Sequence, residues 1–316
     1  LKLQISTAIQ TGLNQYSPSN GIAPLQQQIA NLIERKYGNS LEPSASITVT
    51  SGATEALFVA IHTLVRAGDE VIIFDPAYDS YQPAVELAGG RCQRLALTAP
   101  DYAIDWPNVA SKMNDKVRVI IINSPHNPTG KVLKKHDLQA LKALLAQYPH
   151  CYLISDVVYE HMTFDGHQHL SILSEPELFE RAFVISSFGK TFHCTGWKIG
   201  YCAAPSALCA EFRKIHQYVT FSSFTPAQFG LAAMLAEHPE HVDELADFYQ
   251  QKRDLLVSHL CASRFKVLPS EGTYFVLLDY SAISDLNDVD FCHWLTTDVG
   301  VAAIPLSVFY HDAPAD

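Results

Sequence analysis

Hydrophobic residues in the first two thirds of the chain occur either in short unbroken runs or at helical spacing. Unbroken runs rich in β-branched residues predict buried strands, and apolar residues three or four positions apart predict helices. Strands are predicted at 47–51, 70–75, 116–124, 151–156 and 183–188, and helices at 53–66, 83–89 and 136–148. Because strands separated by helices form βα units, we expect an α/β protein with a mostly parallel sheet covered on both faces.

After Pro205 the pattern changes to helices followed by isolated strands. A helix is predicted over 206–219, and a long helical stretch from about 226 to 258. Residues 265–281 are typical of two strands around a Ser-Glu-Gly turn, and 288–300 of a helix that ends at a glycine. These elements indicate a second, smaller α+β unit that begins near residue 250.

Composition and charge exclude several classes of protein. Of the 316 residues, 48% are hydrophobic and 17% are charged, which excludes a mostly disordered chain. The net charge of −11 argues against nucleic acid or an anionic membrane as a general partner, because both need a basic face. Seven scattered cysteines without a CxxC pair argue against a disulfide framework or a zinc site and favour a reducing cytoplasm. No apolar run approaches the roughly 20 residues of a membrane-spanning helix.

Two segments at the ends of predicted strands could bind a ligand, since ligands in open α/β sheets lie at that edge. SGATEAL at 51–57 places free N–H groups at Ala53 and Thr54 directly after a strand, where they could bind a phosphate. The alternative for this segment is an ordinary loop with a Ser or Thr cap. NSPHNPTGKV at 123–132 predicts a rigid loop in which Asn127 can donate to and accept from a ligand. A plain proline-rich turn is the alternative for the second segment.

A third segment, ISDVVYEH at 154–161, ends a buried strand on a carboxylate. Asp156 is the last strand residue and Tyr159 follows three positions later. A buried carboxylate needs a cationic or hydrogen-bonding partner, because an unpaired buried charge is costly. The partner could be a protonated ring nitrogen, or the carboxylate could simply cap the next helix.

A fourth segment, SSFGKTFHCTGWKIGY at 186–201, carries a lysine just past a strand. Lys190 lies among apolar and small residues, where an amine can become a nucleophile toward an aldehyde. Ser187 precedes it by three positions and Lys198 follows it by eight. A phosphate-binding P-loop is excluded, because Val184 stands where that motif needs a glycine.

In this order, the four segments resemble the fold type I, class I/II pyridoxal-phosphate-dependent aminotransferases. SDVVYEH, SSFGKTFHCTGWKIGY and EGTYFVLLDY resemble most the branch of methionine-preferring and kynurenine aminotransferases. The resemblance implies a three-layer α/β/α large domain and a smaller α+β domain. It implies an N-terminal arm at 1–23, a large cofactor-binding domain at 24–250 and an incomplete small domain at 251–316. It also implies pyridoxal 5′-phosphate as cofactor and a cytoplasmic homodimer.

The resemblance assigns a role to each candidate residue. Lys190 would form the internal aldimine with the cofactor and then act as general base and acid, with ping-pong kinetics. Asp156 would pair with the ring nitrogen, and Tyr16 would reach the phosphate of the neighbouring subunit. The remaining cofactor contacts would be Tyr78 stacked on the ring, Asn127 and Tyr159 on the phenolate oxygen, and Ala53, Thr54, Ser187 and Lys198 around the phosphate. Asn127 and Tyr78 would also contact the substrate.

The expected function is transfer of an amino group from methionine or an aromatic amino acid to a 2-oxo acid. A cysteine-conjugate β-lyase with the same cofactor and a non-catalytic binding domain of this fold stay open as alternatives. Lys198 stands where many relatives carry arginine. Lysine keeps the positive charge of arginine but lacks its bidentate guanidinium group. Relatives also have a glycine-containing stretch ahead of Leu1 and a substrate-binding arginine beyond residue 316. The chain is therefore expected to be cut at both ends and, as written, to bind amino-acid carboxylates poorly.

Two further groups of residues are given structural roles. His167 and His169 are expected on a surface turn rather than at a metal, and no metal site is predicted. Tyr218, Phe221 and Phe224 are expected in the core or at a dimer interface, rather than as a wall of the substrate site.

Overall fold

The computed structural model describes residues 1–313, in which a large and a small sheet are surrounded by helices. The large sheet has seven strands. They are β1 (Ile47–Thr50), β2 (Glu70–Asp75), β3 (Arg91–Ala96), β4 (Val117–Asn123), β5 (Tyr152–Asp156), β6 (Ala182–Ser187) and β7 (Gly200–Ala203). The order across the sheet is β1-β7-β6-β5-β4-β2-β3, and β7 runs antiparallel to both β1 and β6, whereas the other neighbouring pairs are parallel. The small sheet pairs β8 (Lys266–Val267) with β9 (Leu278–Asp279) antiparallel.

Helices precede, connect and follow the strands. They are α1 (Lys2–Gln10), α2 (Ala23–Tyr37), α3 (Pro43–Ser46), α4 (Gly52–Leu64), α5 (Tyr81–Leu87), α6 (Trp106–Lys112), α7 (Lys135–Gln147), α8 (Pro176–Phe179), α9 (Phe188–Thr191), α10 (Ser206–Val219), α11 (Thr225–Glu237), α12 (His241–Leu260) and α13 (Asp288–Trp294). Short 3-10 turns lie at Ile172–Ser174, Thr195–Trp197 and Ser307–Phe309, and a π-helical turn at Leu295–Val299. None of the helices in residues 1–313 combines the length and the apolar character that a bilayer crossing requires.

Alternate residues of the central strands enter two separate hydrophobic cores. On β2, Val71 and Ile73 pack with residues of α4, α5 and α10. The intervening Ile72 and Phe74 pack with residues of α2 and α7. Because successive side chains of a strand point to opposite faces, the sheet is covered by helices on both sides. The structure thus confirms the predicted three-layer α/β arrangement.

Every strand predicted in the first two thirds of the chain is present, and no end is shifted by more than one residue. Two strands were missed. The edge strand β3 has the mixed sequence RCQRLA with mostly half-exposed residues, and β7 is four residues long, so neither has a strong apolar signature.

Two predictions for the second part of the chain were wrong in extent. The helical stretch 226–258 is two helices, because Pro239 between α11 and α12 has no N–H to continue the first. The two strands predicted within 265–281 pair over two residues each. The expected domain boundary at residue 250 falls within α12 and stays a prediction; residues 314–316 of the expected small domain lie outside the described residues.

The sheet brings the candidate segments to one side. Strands β1, β2, β4, β5 and β6 run in the same direction, so their carboxyl ends meet at one edge, where β7 begins. We call this the carboxyl edge. The register pairs Asn123 with Asp156 and places Gly200 opposite both Ser187 and Thr50.

Candidate active site

At the carboxyl edge, the start of α4 presents free N–H groups beside an amine. Ser51 provides no side-chain cap, so the N–H groups of Gly52, Ala53 and Thr54 have no partner within the helix. Lys198 lies over this turn, because a Cβ placed on Gly52 would come 3.5 Å from its Nζ. A helix start and an ammonium group together favour an anion of phosphate size.

Gly200 allows this close approach of β7 to α4. A Cβ on Gly200 would come 2.6 Å from the carbonyl oxygen of Ser186 and 3.0 Å from the nitrogen of Ala53. Lys198, two residues earlier, has a left-handed backbone with φ of 54°. That conformation costs a residue with a side chain about 1 kcal/mol. Here it turns the chain so that the amine reaches the start of α4.

Asp156, at the end of β5, is a buried carboxylate that has only neutral partners. Its side chain accepts hydrogen bonds from Tyr81 Oη at 2.7 Å and from the N–H of Val158 at 3.2 Å. Burial raises its pKa to about 6, although these two hydrogen bonds act in the opposite direction. Within residues 1–313 no basic side chain offsets the burial. A protonated ring nitrogen would supply the missing positive charge.

Tyr81 connects this carboxylate to the start of α4. The ring of Tyr78 packs edge-on against the ring of Tyr81, with centroids 5.6 Å apart. The hydroxyl of Tyr78 lies 3.2 Å from Thr54 Oγ1. Tyr81 is not among the residues predicted from the sequence, although its spacing of three residues from Tyr78 in DPAYDSY was an available signal. The contacts therefore run continuously from Asp156 to the helix start.

Lys190 lies on the short helix α9, directly after β6. Ser187 caps this turn, because its Oγ accepts a hydrogen bond from the N–H of Gly189 at 3.2 Å. The amine of Lys190 donates to Tyr274 Oη at 2.6 Å. The ring of Tyr274 packs edge-on against the ring of Tyr159, with centroids 5.4 Å apart. Two candidates, Lys190 and Tyr159, are thus joined through a tyrosine that sequence analysis did not select.

The proline-containing loop after β4 is tied to β5 beside Asp156. Asn123 Oδ1 accepts from the N–H of Asn127 at 2.7 Å, and Asn123 Nδ2 donates to the carbonyl oxygen of Asp156 at 3.0 Å. The side-chain amide of Asn127 is half-buried and has no hydrogen-bond partner in the part of the chain that the structure describes. It is therefore available to a ligand.

Tyr16 is the candidate whose contacts lead away from these residues. Its side chain is 81% exposed, and its ring packs edge-on against Phe221. Tyr218, Phe221 and Phe224 are exposed as well. The expectation that these three are core residues is wrong for the single chain, whereas the dimer interface stays a prediction. We call Tyr16, Tyr218, Phe221 and Phe224 the aromatic patch.

Of the two histidines in GHQHL that were expected on a surface turn, one is exposed and one is not. His167 is exposed, but His169 is tied into the interior by both ring nitrogens. Its Nδ1 lies 2.9 Å from Tyr37 Oη, and its Nε2 lies 3.0 Å from the carbonyl oxygen of Ser124. Burial lowers its pKa to about 4. Among residues 1–313 there is no cluster of three or more His, Cys, Asp or Glu side chains suited to a metal ion.

The residues at the carboxyl edge suit one class of ligand. The start of α4 with Lys198 suits a phosphate, and Asp156 suits a protonated ring nitrogen. The amine of Lys190 can attack an aldehyde. A phosphorylated heteroaromatic aldehyde combines all three groups.

Comparison with known proteins places the chain among enzymes of this chemistry. The family model "Aminotransferase class I and II" matches residues 2–315. The chain is 52% identical over 312 residues to a methionine aminotransferase of Escherichia coli, covering 99% of this chain and 81% of that protein. It is 36% identical over 336 residues to a kynurenine–oxoglutarate transaminase of Dictyostelium discoideum, covering 95% and 77%.

Solved structures agree with this placement. A structure from Escherichia coli, described as having a methionine aminotransferase function, superposes with a TM-score of 0.97 at 52% identity. The match covers 99% of this chain and 83% of that one. An N-succinyldiaminopimelate aminotransferase from Mycobacterium tuberculosis superposes with a TM-score of 0.95 at 38% identity, covering 100% and 82%.

Proposed function

Because the chain belongs to the class I and II aminotransferase family, we propose that it moves the amino group of methionine or an aromatic amino acid to a 2-oxo acid. Aminotransferase activity itself follows from the family match and from the identity to a methionine aminotransferase over nearly the whole chain. Enzymes of this family depend on pyridoxal 5′-phosphate. The amino donor, the cofactor bound by this chain, the residue roles and the dimer are what we propose.

The observation that carries the proposal is the buried Asp156 carboxylate with neutral partners. Burying an ionisable group without a counter-charge destabilises a fold unless a ligand supplies that charge. Asp156 lies on the same sheet edge as the amine of Lys190 and is connected by contacts to the start of α4. By their chemistry, these groups suit the ring nitrogen, the aldehyde and the phosphate of one cofactor.

Each residue around the cofactor has a proposed task. When bound, pyridoxal phosphate supplies an aldehyde carbon that reacts with amines and a protonated ring that accepts negative charge. Asp156 holds the proton on the ring nitrogen, and Tyr81 keeps the carboxylate oriented. The other proposed contacts are Tyr78 on the ring face, Asn127 and Tyr159 on the phenolic oxygen, and Ala53, Thr54, Ser187 and Lys198 around the phosphate.

Lys190 performs the proton transfer. With pyridoxal phosphate bound, the amine of Lys190 would hold the cofactor through its aldehyde carbon. Once the amino group of the substrate takes that place, the free amine would take the proton from the substrate Cα as a base and give it back as an acid. Since one product leaves before the second substrate binds, ping-pong kinetics are expected.

The preferred donors are proposed from the relatives and from the lining of the site. The two curated relatives described above carry names for methionine and kynurenine. The aromatic rings of Tyr78, Tyr159 and Tyr274 lie around Lys190 and Asp156 and favour an apolar or aromatic side chain on the substrate. Asn127 and Tyr78 are the proposed substrate contacts.

A homodimer is proposed from the aromatic patch. Tyr16, Tyr218, Phe221 and Phe224 expose large apolar surfaces that a second copy would cover. Tyr16 would then reach the phosphate in the neighbouring active site. Because all seven cysteines are free, we also propose the reducing cytoplasm as the location.

The proposal is tested by trapping the cofactor and by a donor panel. The full-length protein mixed with pyridoxal phosphate and reduced with borohydride should carry the label on Lys190, as read by peptide mass spectrometry. Lys190→Ala should lose the label, whereas Lys214→Ala, at an exposed site on α10, should keep it. A label elsewhere contradicts the role of Lys190. Among amino donors offered with 2-oxo acids, methionine and aromatic amino acids should react fastest.

A further inference from the structure

The side chain of Tyr274 contacts the amine of Lys190. Lys190 Nζ donates to Tyr274 Oη at 2.6 Å and lies 5.2 Å from the centroid of the Tyr274 ring. The same ring contacts Tyr159, with centroids 5.4 Å apart. Tyr274 therefore touches the amine and one of the proposed cofactor contacts at the same time.

The segment 270–275 that carries Tyr274 is fixed to both loops of the site. The N–H of Glu271 donates to the carbonyl oxygen of Gly130 at 2.9 Å, in the loop that contains Asn127. The N–H of Thr273 donates to the carbonyl oxygen of Met162 at 2.9 Å, just after Tyr159. Although it comes from the last quarter of the sequence, Tyr274 is thus positioned by the two loops that carry Asn127 and Tyr159.

Side-chain contacts also fix segment 270–275 to these loops, and the backbone conformation of the segment is consistent with tight fixation. The carboxylate of Glu271 accepts from Lys134 Nζ at 2.7 Å and from the N–H of Val132 at 3.1 Å. A Cβ on Gly272 would come 2.6 Å from the carbonyl oxygen of Met162, so the backbones are in direct contact. Thr273 is fully buried with φ of 66°, a conformation rare for a β-branched residue. Such strain persists only where surrounding contacts over-determine the backbone.

We propose that Tyr274 is a further catalytic residue, whose hydroxyl holds Lys190 Nζ in place while the amine transfers the substrate proton. The inference rests on the proposed function, in which Lys190 is the base. In that step the Cα–H bond breaks, an N–H bond forms at Nζ, and the electron pair stays on the substrate carbon. Tyr274 accepts a hydrogen bond from Nζ and neither gains nor loses a proton.

The physical need for such a partner comes from the flexibility of lysine. Its four-carbon side chain has many rotamers, whereas the tyrosine hydroxyl ends a rigid ring. Displacing a reacting group by about 1 Å can slow a reaction about a hundredfold. Tyr274 is 40% exposed, so its hydroxyl is not needed for core packing. Removing the hydroxyl should therefore affect the position of Nζ more than the stability of the fold.

Tyr274→Phe tests the inference, with Tyr249→Phe as the matched control. The ring of Tyr249 packs against Tyr274, but its hydroxyl lies 3.2 Å from His193 Nδ1. In Tyr274→Phe we expect the dissociation constant for pyridoxal phosphate within about twofold of wild type. Covalent capture of the cofactor by the cofactor-free protein, followed by borohydride fixation over time, should slow about tenfold.

Steady-state kinetics supply the second measurement. In Tyr274→Phe, kcat for methionine should fall about tenfold with KM nearly unchanged, and the isotope effect with Cα-deuterated methionine should rise because proton transfer limits the rate. Tyr249→Phe should match wild type in every measurement. The inference would be overturned if Tyr274→Phe had the same capture rate, kcat and isotope effect as the wild type. The proposed function would stay intact in that case, provided that the label is still on Lys190. Absence of the label on Lys190 in the wild type would overturn both.

Discussion

At the scale of single residues, the site contains groups that destabilise the fold while no ligand is bound. A ligand would supply the charge or the hydrogen bond that these groups lack. Asp156 is buried without a positive partner, and the amide of Asn127 has no hydrogen-bond partner within residues 1–313. Lys198 has a strained backbone. Binding sites often keep such features at a cost in stability. The same features make the roles of individual residues testable without an activity assay.

Asp156→Asn should stabilise the cofactor-free protein at neutral pH. The folded-state pKa of about 6 lies above the ordinary 3.8, so ionisation opposes folding and stability falls as pH rises from about 4 to 6. This corresponds to as much as about 3 kcal/mol above pH 6. Asparagine removes the charge, and the Tyr81 hydroxyl can rotate to accept from its amide.

Urea unfolding of the cofactor-free proteins at several pH values measures this effect. The variant should gain about 1–3 kcal/mol over wild type at pH 7.5 and almost nothing at pH 4. It should also bind pyridoxal phosphate more weakly. Equal free energies of unfolding for both proteins at every pH would show that burial does not raise the pKa of Asp156.

At the scale of elements, the βα framework was predictable because the spacing of hydrophobic residues within each short segment indicates which faces are buried. The strand EVIIFD is apolar along its length, and its two faces enter the two cores. Pro239 was a visible signal for the break between α11 and α12, and the prediction of one long helix overlooked it. The polar β3 gave no comparable signal.

The candidate site was predictable only where a motif lies within one segment. Asp156, Lys190 and Asn127 each stand in a distinctive short run at or just after the end of a strand. Their partners come from elsewhere: Tyr81 is 75 residues from Asp156, and Tyr274 is 84 residues from Lys190. No local periodicity encodes such contacts, because they depend on how the elements pack.

The attachment of segment 270–275 to the site loops predicts an asymmetry between two glycines. In Gly272→Ala, the new methyl group would meet the Met162 carbonyl oxygen at 2.6 Å and Pro125 Cβ at 3.0 Å. Overpacking of this kind costs about 1–3 kcal/mol. Gly196→Ala, with nothing within 4 Å of the new methyl group, is the control.

Denaturant unfolding should therefore show a lower midpoint for Gly272→Ala and an almost unchanged one for Gly196→Ala. Because the displaced segment carries Tyr274, the Gly272 variant should also capture pyridoxal phosphate more slowly. If the two variants unfold at the same denaturant concentration, the close packing of segment 270–275 on the Met162 turn is refuted.

At the scale of the whole molecule, the acidic net charge coexists with a local anion site. The chain carries −11 overall, yet Lys198 and the start of α4 face the same point at the carboxyl edge. The aromatic patch is the other large-scale feature. It lies outside the two cores, and a second copy of the chain would remove it from water.

Phe221→Ser should weaken the proposed homodimer. The ring of Phe221 is 54% exposed and supports Tyr16, so its loss removes apolar contact from both copies. Leu255→Ser on α12 is the control, because Leu255 is 61% exposed but lies outside the patch. Sedimentation at micromolar concentration should give two chains for wild type and the control, and a shift toward one chain for Phe221→Ser. A wild-type protein that sediments as one chain contradicts the dimer.

A single half-reaction tests the central claim most directly. The full-length protein loaded with pyridoxal phosphate is mixed with excess L-methionine in the absence of any 2-oxo acid, and the products are quantified per subunit. We predict one equivalent of the 2-oxo acid of methionine, no ammonia, and further product only after a second 2-oxo acid is added. No 2-oxo acid at all, or continuous product formation with release of ammonia, would contradict the proposed transfer of the amino group of methionine to a 2-oxo acid.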